Sequence, residues 1–201
     1  ACSKNYVFKS KKKYITNEHS LKVSHILRYK NQGILISHIT ANADNPNLNC
    51  RLNGLEKFSP VRFILDKNLS IKLNLNLIKT SKKIKTYIFY NKKNNKFNKL
   101  KSKGVKLIYC PLTEDNKLDL LFILKKIKYN NINSLLVEGG YHLTSVFLKK
   151  RLMNEFYLFK SNKNLNTDRY KIKNLNKLLM YFRNIENMST FLDKDKVIKY
   201  Y

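Results

Sequence analysis

The 201-residue chain has no tryptophan, five glycines, three prolines and three cysteines, and 13 acidic residues stand against 41 basic ones. Cys2, Cys50 and Cys110 are odd in number, far apart and without a C-x-x-C spacing. That excludes a disulfide framework and a zinc cluster, and predicts free core thiols in a reducing cytoplasm. No apolar run approaches the roughly 20 residues of a membrane helix, and the opening residues lack the basic start, apolar middle and small-residue cleavage site of a secretory signal. No membrane partner is expected. No segment repeats at a solenoid period. No H-x-E with a later P-C-x-x-C occurs, so no deaminating zinc site is encoded. His19, His25, His38 and His142 are scattered, with no Ser-His-Asp or Cys-His set for nucleophilic catalysis.

The formal net charge is +28, yet only six of the 41 basic residues are arginine, and the lysines run from Lys4 to Lys199. Abundant Lys, Asn, Ile, Tyr and Phe with scarce Gly, Pro and Ala is the profile of A/T-rich codons. A nucleic-acid surface would cluster its charge and interleave it with arginine and stacking aromatics. Runs such as Lys11-Lys12-Lys13 and Lys92-Lys93 read as solvated loops. No nucleic acid is expected, although the field attracts anions, phosphorylated small molecules among them.

The length suits one domain over residues 1–201 with a real core. Ala1, in place of Met and in what reads as a strand, suggests a segment of a longer chain. Asn17 is placed to cap a helix through Leu21, Ile26 and Leu27 to about Tyr29. Strands are predicted at Ile34–Ile36, Val61–Leu65, Thr86–Tyr90, Val105–Tyr109 and Ser134–Val137, with helices after Leu118 and from Leu143 to Leu148. Strand-like runs follow at Glu155–Phe159, Met180–Arg183 and Val197–Tyr200, and Leu73–Leu77 alternates like an edge or surface piece. Strands alternating with helices imply a mostly parallel α/β sheet with helices on both faces. The last strands lack helices between them and predict an antiparallel C-terminal edge.

Two segments can carry chemistry. Leu135-Leu136-Val137-Glu138-Gly139-Gly140 runs an apolar strand into two glycines and then a helix, whose free N–H groups and dipole suit a pyrophosphate. An ordinary strand-to-helix turn has the same pattern. Thr40 to Arg51 follows a strand and puts a hydroxyl, a carboxylate and an arginine on one predicted loop; arginine suits bidentate phosphate binding. A surface loop with an Asn-Pro turn would read likewise. Arg28 is a further anion ligand or simply a charge complementing its helix dipole.

These segments together resemble the bacterial riboflavin-biosynthesis pyrimidine reductases, the reductase half of the bifunctional deaminase–reductase. Thr40, Ala43, Asp44, Pro46, Leu48 and Arg51 stand where the family has Thr-Val-x-Ala-Asp-Asp-Pro-x-Leu-Thr-Val-Arg. Val137-Glu138-Gly139-Gly140 resembles its Val-Glu-Gly-Gly, His25-Ile26-Leu27-Arg28 its His-x-Leu-Arg, and Tyr14-Ile15-Thr16 its Trp-Ile-Thr. Ala1-Cys2-Ser3, Leu65-Asp66 and Leu152-Met153-Asn154-Glu155 extend the likeness along the chain. Departures fall at Asn5 and Tyr6, where the family has Asp-Gly, at Asn45 for its second Asp, at Tyr141 for a Pro, at Leu21 for an Arg, and between Ser161 and Asp168, where a Gly is missing.

The resemblance implies a dihydrofolate-reductase-like fold and NADPH-dependent reduction of 5-amino-6-(5-phosphoribosylamino)uracil to its ribitylamino product, with hydride from the cofactor and orientation from the protein. It implies that Ala1, Tyr14, Thr40, Asp44, Lys67 and the turn Gly139, Gly140, Tyr141, His142, Leu143 and Thr144 hold cofactor. Lys12, Arg28, Leu48, Arg51 and Glu138 would hold the phosphorylated pyrimidine substrate. An upstream deaminase domain and a homo-oligomer are the implied protein partners. No catalytic acid or base and no metal are assigned; His25 reads as a packing residue. Two alternatives stay open: a degenerate member without turnover, suggested by Asn5, Tyr6 and Tyr141, and a basic nucleic-acid-binding module.

Overall fold

The computed structural model describes residues 1–8, 15–167, 170–188 and 194–201. Lys12 and Tyr14 lie outside these residues. The chain divides into two compact units, one of His25–Glu138 and one of Ala1–Ser24 with Gly139–Tyr201. Helix α1 (Glu18–Lys30) runs through the sequence boundary at Ser24. Asn17 caps it as expected, its Oδ1 accepting the Ser20 N–H at 2.9 Å.

The His25–Glu138 unit is built on five parallel strands in the order β4-β3-β2-β1-β5: β1 (Gly33–Ser37), β2 (Val61–Leu65), β3 (Thr86–Tyr90), β4 (Lys106–Tyr109) and β5 (Leu135–Val137). Ile34, Leu35 and Ile36 are all fully buried although successive side chains point to opposite faces. Both faces are therefore covered, which explains why the strands read as continuous apolar runs. Ile36, Ile64, Ile88 and Leu107 stand in one row across four strands and pack with Leu69, Ile71, Leu75, Leu77 and Leu100.

Between the strands lie α2 (His38–Asp44), α3 (Asn76–Lys79), α4 (Phe97–Ser102) and α5 (Leu120–Tyr129). Asp119 caps α5, accepting from the Leu121 and Phe122 N–H groups. Leu73–Leu77 is not an edge strand: the run turns into α3, because Leu75, Leu77 and Ile78 all find the core from one helical turn. Arg62 is an unexpected core residue. It is 1% exposed, donates to the Leu77 carbonyl and the Thr80 hydroxyl at 3.3 and 2.8 Å, and burial lowers its pKa to about 10.

In the other unit β6 (Phe156–Lys160), β8 (Lys196–Tyr200) and β7 (Ile185–Asn187) form an antiparallel sheet in the order β6-β8-β7. The antiparallel pairing expected of the C-terminal strands is present, in a sheet of its own rather than as an edge of the first. Met180–Arg183 is not a strand. It is the turn after α7 (Leu175–Leu179), and it drops Phe182 into a cluster with Cys2, Leu148, Phe156, Leu158 and Leu175 before β7 begins. Ala1–Ser3, expected as a strand, reduces to one parallel bridge from Cys2 to Lys160. Helix α6 (Tyr141–Lys149) adds Phe147 and Leu148 to the buried set. Cys2, Cys50 and Cys110 are free and buried. Among the described residues no helix is long and apolar enough to cross a membrane.

Candidate active site

One turn of α1 carries His25 and Arg28, three residues apart and so on one face, both buried. The Arg28 guanidinium meets Glu138 fork to fork, Nε donating to Oε2 at 3.0 Å and Nη2 to Oε1 at 2.5 Å. Nη1 donates to the Asn49 carbonyl at 3.2 Å. Glu138 is positioned by β5: it follows Val137, and its N–H continues the parallel ladder to Leu35 of β1 at 3.0 Å. The carboxylate remains 38% exposed, so it can meet solvent or a ligand while paired.

The segment Leu48–Arg51 is held by the same turn. The Cys50 N–H donates to Ser59 Oγ at 3.1 Å, Cys50 Sγ lies 3.8 Å from the His25 carbonyl, and the Arg51 N–H donates to His25 Nδ1 at 3.3 Å. Leu48, expected to touch substrate, has its side chain in the core at 1% exposure and a left-handed backbone with φ 52°. What it can offer a ligand is main chain, because a leucine holds that conformation only where packing imposes it. Arg51 is exposed, and its side chain makes no hydrogen bond or ion pair among the described residues. Asn49 Oδ1 is buried without a donor. Burial, with Arg28 and Arg51 nearby, holds the His25 pKa below its ordinary value.

The predicted loop at Thr40–Asp44 is helix α2 instead. Ser37 caps it, Oγ accepting the Thr40 N–H at 3.2 Å and lying 3.1 Å from Thr40 Oγ1. A serine three residues ahead of a polar helical position is a cap signal that sequence reading could have used. Asn45 closes the helix in the left-handed region, φ 43°, and its Oδ1 accepts the Asn76 N–H at 2.8 Å. The amide that replaces the family's Asp thus serves as an acceptor at the start of α3. Thr40 is half-buried and Asp44 exposed. Since β1 and β5 are parallel neighbours, α2 and Glu138 leave the same, carboxyl, edge of the sheet, where ligands of open α/β folds sit.

Lys67 follows β2 at that edge, and its Nζ donates to the carbonyl and Oδ1 of Asn116 at 2.8 and 2.7 Å. Beside it Asp66, fully buried, accepts the Ser70 and Ile71 N–H groups, both at 2.8 Å, and so fixes the exit of β2.

After Glu138 the chain enters Gly139–Thr144, in the other unit. Neither glycine has a positive φ; Gly140 is the cap residue of α6 at φ −66°. The glycines supply room rather than an unusual dihedral: a Cβ on Gly139 would lie 2.9 Å from Leu143 Cβ. Helices α1 and α5 have side-chain caps, whereas α6 has none. Leu143 and Thr144 are buried, the latter with its N–H on the Gly140 carbonyl at 3.2 Å. The Tyr141 hydroxyl and His142 Nε2 are 2.5 Å apart, and Tyr141 meets Tyr170 edge-on at 5.5 Å. Ala1 is exposed.

The departures at Asn5 and Tyr6 have local work. Asn5 bonds the Leu165 carbonyl through Nδ2 and the Leu165 N–H through Oδ1, at 2.8 and 3.1 Å. Tyr6, at φ 61°, lies under the Lys160 ammonium at 4.0 Å.

Residues 8–163 match the model of the RibD C-terminal domain family. The chain is 36% identical over 147 residues to a riboflavin biosynthesis protein RibD from Aquifex aeolicus, covering 73% of this chain. It spans 39% of the length of that relative and of two further RibD relatives. It is 26% identical over 191 residues to a 5-amino-6-(5-phosphoribosylamino)uracil reductase from Buchnera aphidicola, covering 86% of this chain and 89% of the relative. Among solved structures, RibD from Acinetobacter baumannii matches with a TM-score of 0.79 at 18% identity, over 100% of this chain and 55% of that one. At that identity the likeness is one of fold.

Proposed function

Because the chain belongs to the RibD C-terminal domain family, we propose that it is a pyrimidine reductase of riboflavin biosynthesis. The substrate is 5-amino-6-(5-phosphoribosylamino)uracil, the product its ribitylamino form, and the reductant NADPH. That the chain spans 39% of the length of three RibD relatives supports a deaminase, upstream in the same chain or in a separate protein, as the source of the substrate; assembly into a homo-oligomer is part of the proposal. We place the reaction in the cytoplasm.

The observation that carries this reading is the junction of Arg28 with Glu138 and Asn49. It brings the last turns of α1, the end of β5 and the Leu48–Arg51 segment together in one unit and leaves Arg51 exposed, with no side-chain hydrogen bond or ion pair among the described residues. In this reading Arg51 takes the ribose phosphate, as a planar guanidinium is suited to do. Glu138, half of whose acceptor capacity remains open to solvent-side donors, takes sugar hydroxyls or a ring N–H. Arg28 acts mainly by holding Glu138 and the Asn49 backbone, and the main chain of Leu48 and the side chain of Lys12 complete the substrate set.

The cofactor residues fit a dinucleotide. Helix α6 lacks a side-chain cap and is preceded by two small residues, so its first-turn N–H groups can meet a pyrophosphate. Thr40, Asp44, Lys67, Ala1, Tyr14 and the turn from Gly139 to Thr144 are the residues we assign to it. When bound, NADPH supplies the hydride for the ring-opened sugar carbon, an imine or aldehyde equivalent. The chain contributes orientation, charge and exclusion of water.

Loss of NADPH absorbance with purified protein and the deaminated pyrimidine tests the reading. Turnover that requires both supports it. Tight NADPH binding without turnover on that substrate would redirect it to another substrate, and failure to bind NADPH would favour the degenerate alternative. A steep, salt-dependent shift with duplex DNA would favour the nucleic-acid module.

A further inference from the structure

Among the described residues the Arg51 side chain has no hydrogen-bond or ion-pair partner, so its place in the unit is decided by its backbone. That backbone is tied by the hydrogen bond from its N–H to His25 Nδ1 at 3.3 Å. His25 is 7% exposed; its Nδ1 takes the Arg51 N–H, and the ring also has a hydrogen-bond interaction with the Asn49 backbone, on the same segment as Arg51. An apolar ring would fill the same space; the ring nitrogen is what keeps the Arg51 N–H from being an unsatisfied donor. The neighbouring ties are of the same kind. Cys50 is held by Ser59 Oγ and lies against the His25 carbonyl, and Asn49 is held by Arg28, three residues further along the same helix.

We propose that His25 is the positioning residue for Arg51: its Nδ1 fixes the backbone from which the Arg51 guanidinium is delivered to an anionic group of the substrate. This rests on the reading that Arg51 takes the phosphate. The histidine does not touch substrate and acts through the arginine. The role requires a neutral ring, since imidazolium has no acceptor. The charged groups around the ring are Arg28 on its own helix, Arg51 on the facing segment and Glu138 at the end of β5. Burial first, and then the two arginines, favour the neutral form; Glu138 and a hydrogen bond to the Asn49 backbone oppose them as lesser influences. Because the folded pKa is depressed, the contact is complete above the ordinary value of 6.5 and is lost as pH falls through the lower folded value.

The test uses amide hydrogen exchange at Arg51, corrected for intrinsic rate, together with calorimetric binding of ribose 5-phosphate. The proteins are the unsubstituted chain, His25→Phe and His25→Asn, whose Oδ1 can replace Nδ1 as acceptor. His25→Phe is expected to lose Arg51 protection and to weaken ribose 5-phosphate about three- to tenfold, the worth of one ordinary hydrogen bond. With the full substrate, KM should rise while kcat holds, the signature of lost uniform binding. His25→Asn should restore both readouts, and the unsubstituted chain should mimic His25→Phe once acid enough to protonate the ring. Retained Arg51 protection in folded His25→Phe overturns the positioning role. Lost protection with unchanged ribose 5-phosphate affinity overturns instead the assignment of Arg51 to phosphate. If His25→Phe does not fold, the acid series on the unsubstituted chain decides: protection that survives ring protonation overturns the role.

Discussion

The junction at Glu138 and the turn that follows it, Gly139–Thr144, are both assigned to ligands, yet they are built in opposite ways. At the junction, side chains are paired before any ligand arrives: Arg28 holds Glu138 through both oxygens and Asn49 through its carbonyl, and His25 holds Arg51. In the turn almost nothing is contributed by side chains; α6 follows the cap residue Gly140, which provides no side-chain cap, and what the turn offers is main-chain N–H. A side-chain site fails when charge or a fork is removed. A main-chain site fails when volume is added. Substitutions that exploit this difference can break the comparison.

Arg28→Ala should have the largest effect. It strips Glu138 of its cation and the Asn49 carbonyl of its donor. Because Glu138 is 38% exposed, the expected loss of stability, about 2–3 kcal/mol, falls below that of a fully buried pair. Urea denaturation measures it. A change under about 0.5 kcal/mol would reduce the junction to an ordinary surface ion pair.

Gly140→Val should weaken NADPH by on the order of ten- to a hundredfold, with substrate changed much less, because the added volume obstructs main-chain donors. Arg51→Ala should do the reverse. Phosphorylated substrate weakens by on the order of ten- to a hundredfold, as for loss of a charge-assisted contact, while NADPH affinity holds. Titrating both ligands on both variants checks the division; if either variant loses the two ligands equally, the two regions are not separate sites.

Lys67→Ala should have the smallest effect, about three- to tenfold on NADPH and none on NADH. Lys67 is held by Asn116 at the exit of β2, and we assign it to the adenosine phosphate that distinguishes the two cofactors. Equal weakening of both would place the lysine's contribution in the Asn116 contact alone.

Much of this was legible along the chain. The three central strands β1, β2 and β3 were visible because each is a largely apolar run buried on both faces, and such runs need no partner to be recognised. Asn17 announced α1, and the order Thr40, Asp44, Arg51, Glu138, Gly139, Gly140 carried the family likeness. Helix α2 was missed because its polar residues, read as a loop, become helical once Ser37 caps them and Asn45 accepts the left-handed turn. The family motif points to Leu48 as a substrate contact but not to which of its atoms are available; the fold puts its side chain in the core and leaves the main chain. Arg62 gave no sign at all, since a lone arginine in a strand ordinarily points to solvent, not to the Leu77 carbonyl.

Composition and periodicity thus decided the α/β class, the strand positions and the candidate residues, because burial and propensity are local properties that each segment records for itself. Which residues meet was decided only by the fold. Arg28 and Glu138 are 110 positions apart, and no pattern in either segment names the other. Their pairing follows from the parallel register of β1 and β5, which sets Glu138 beside Leu35 at the sheet edge, and from the packing of α1, which brings the arginine to it. The same folding pairs Arg28 with Glu138 and the Asn49 carbonyl and leaves the Arg51 side chain without a hydrogen bond or ion pair among the described residues, because a cation's partners depend on which acceptors tertiary packing places within reach.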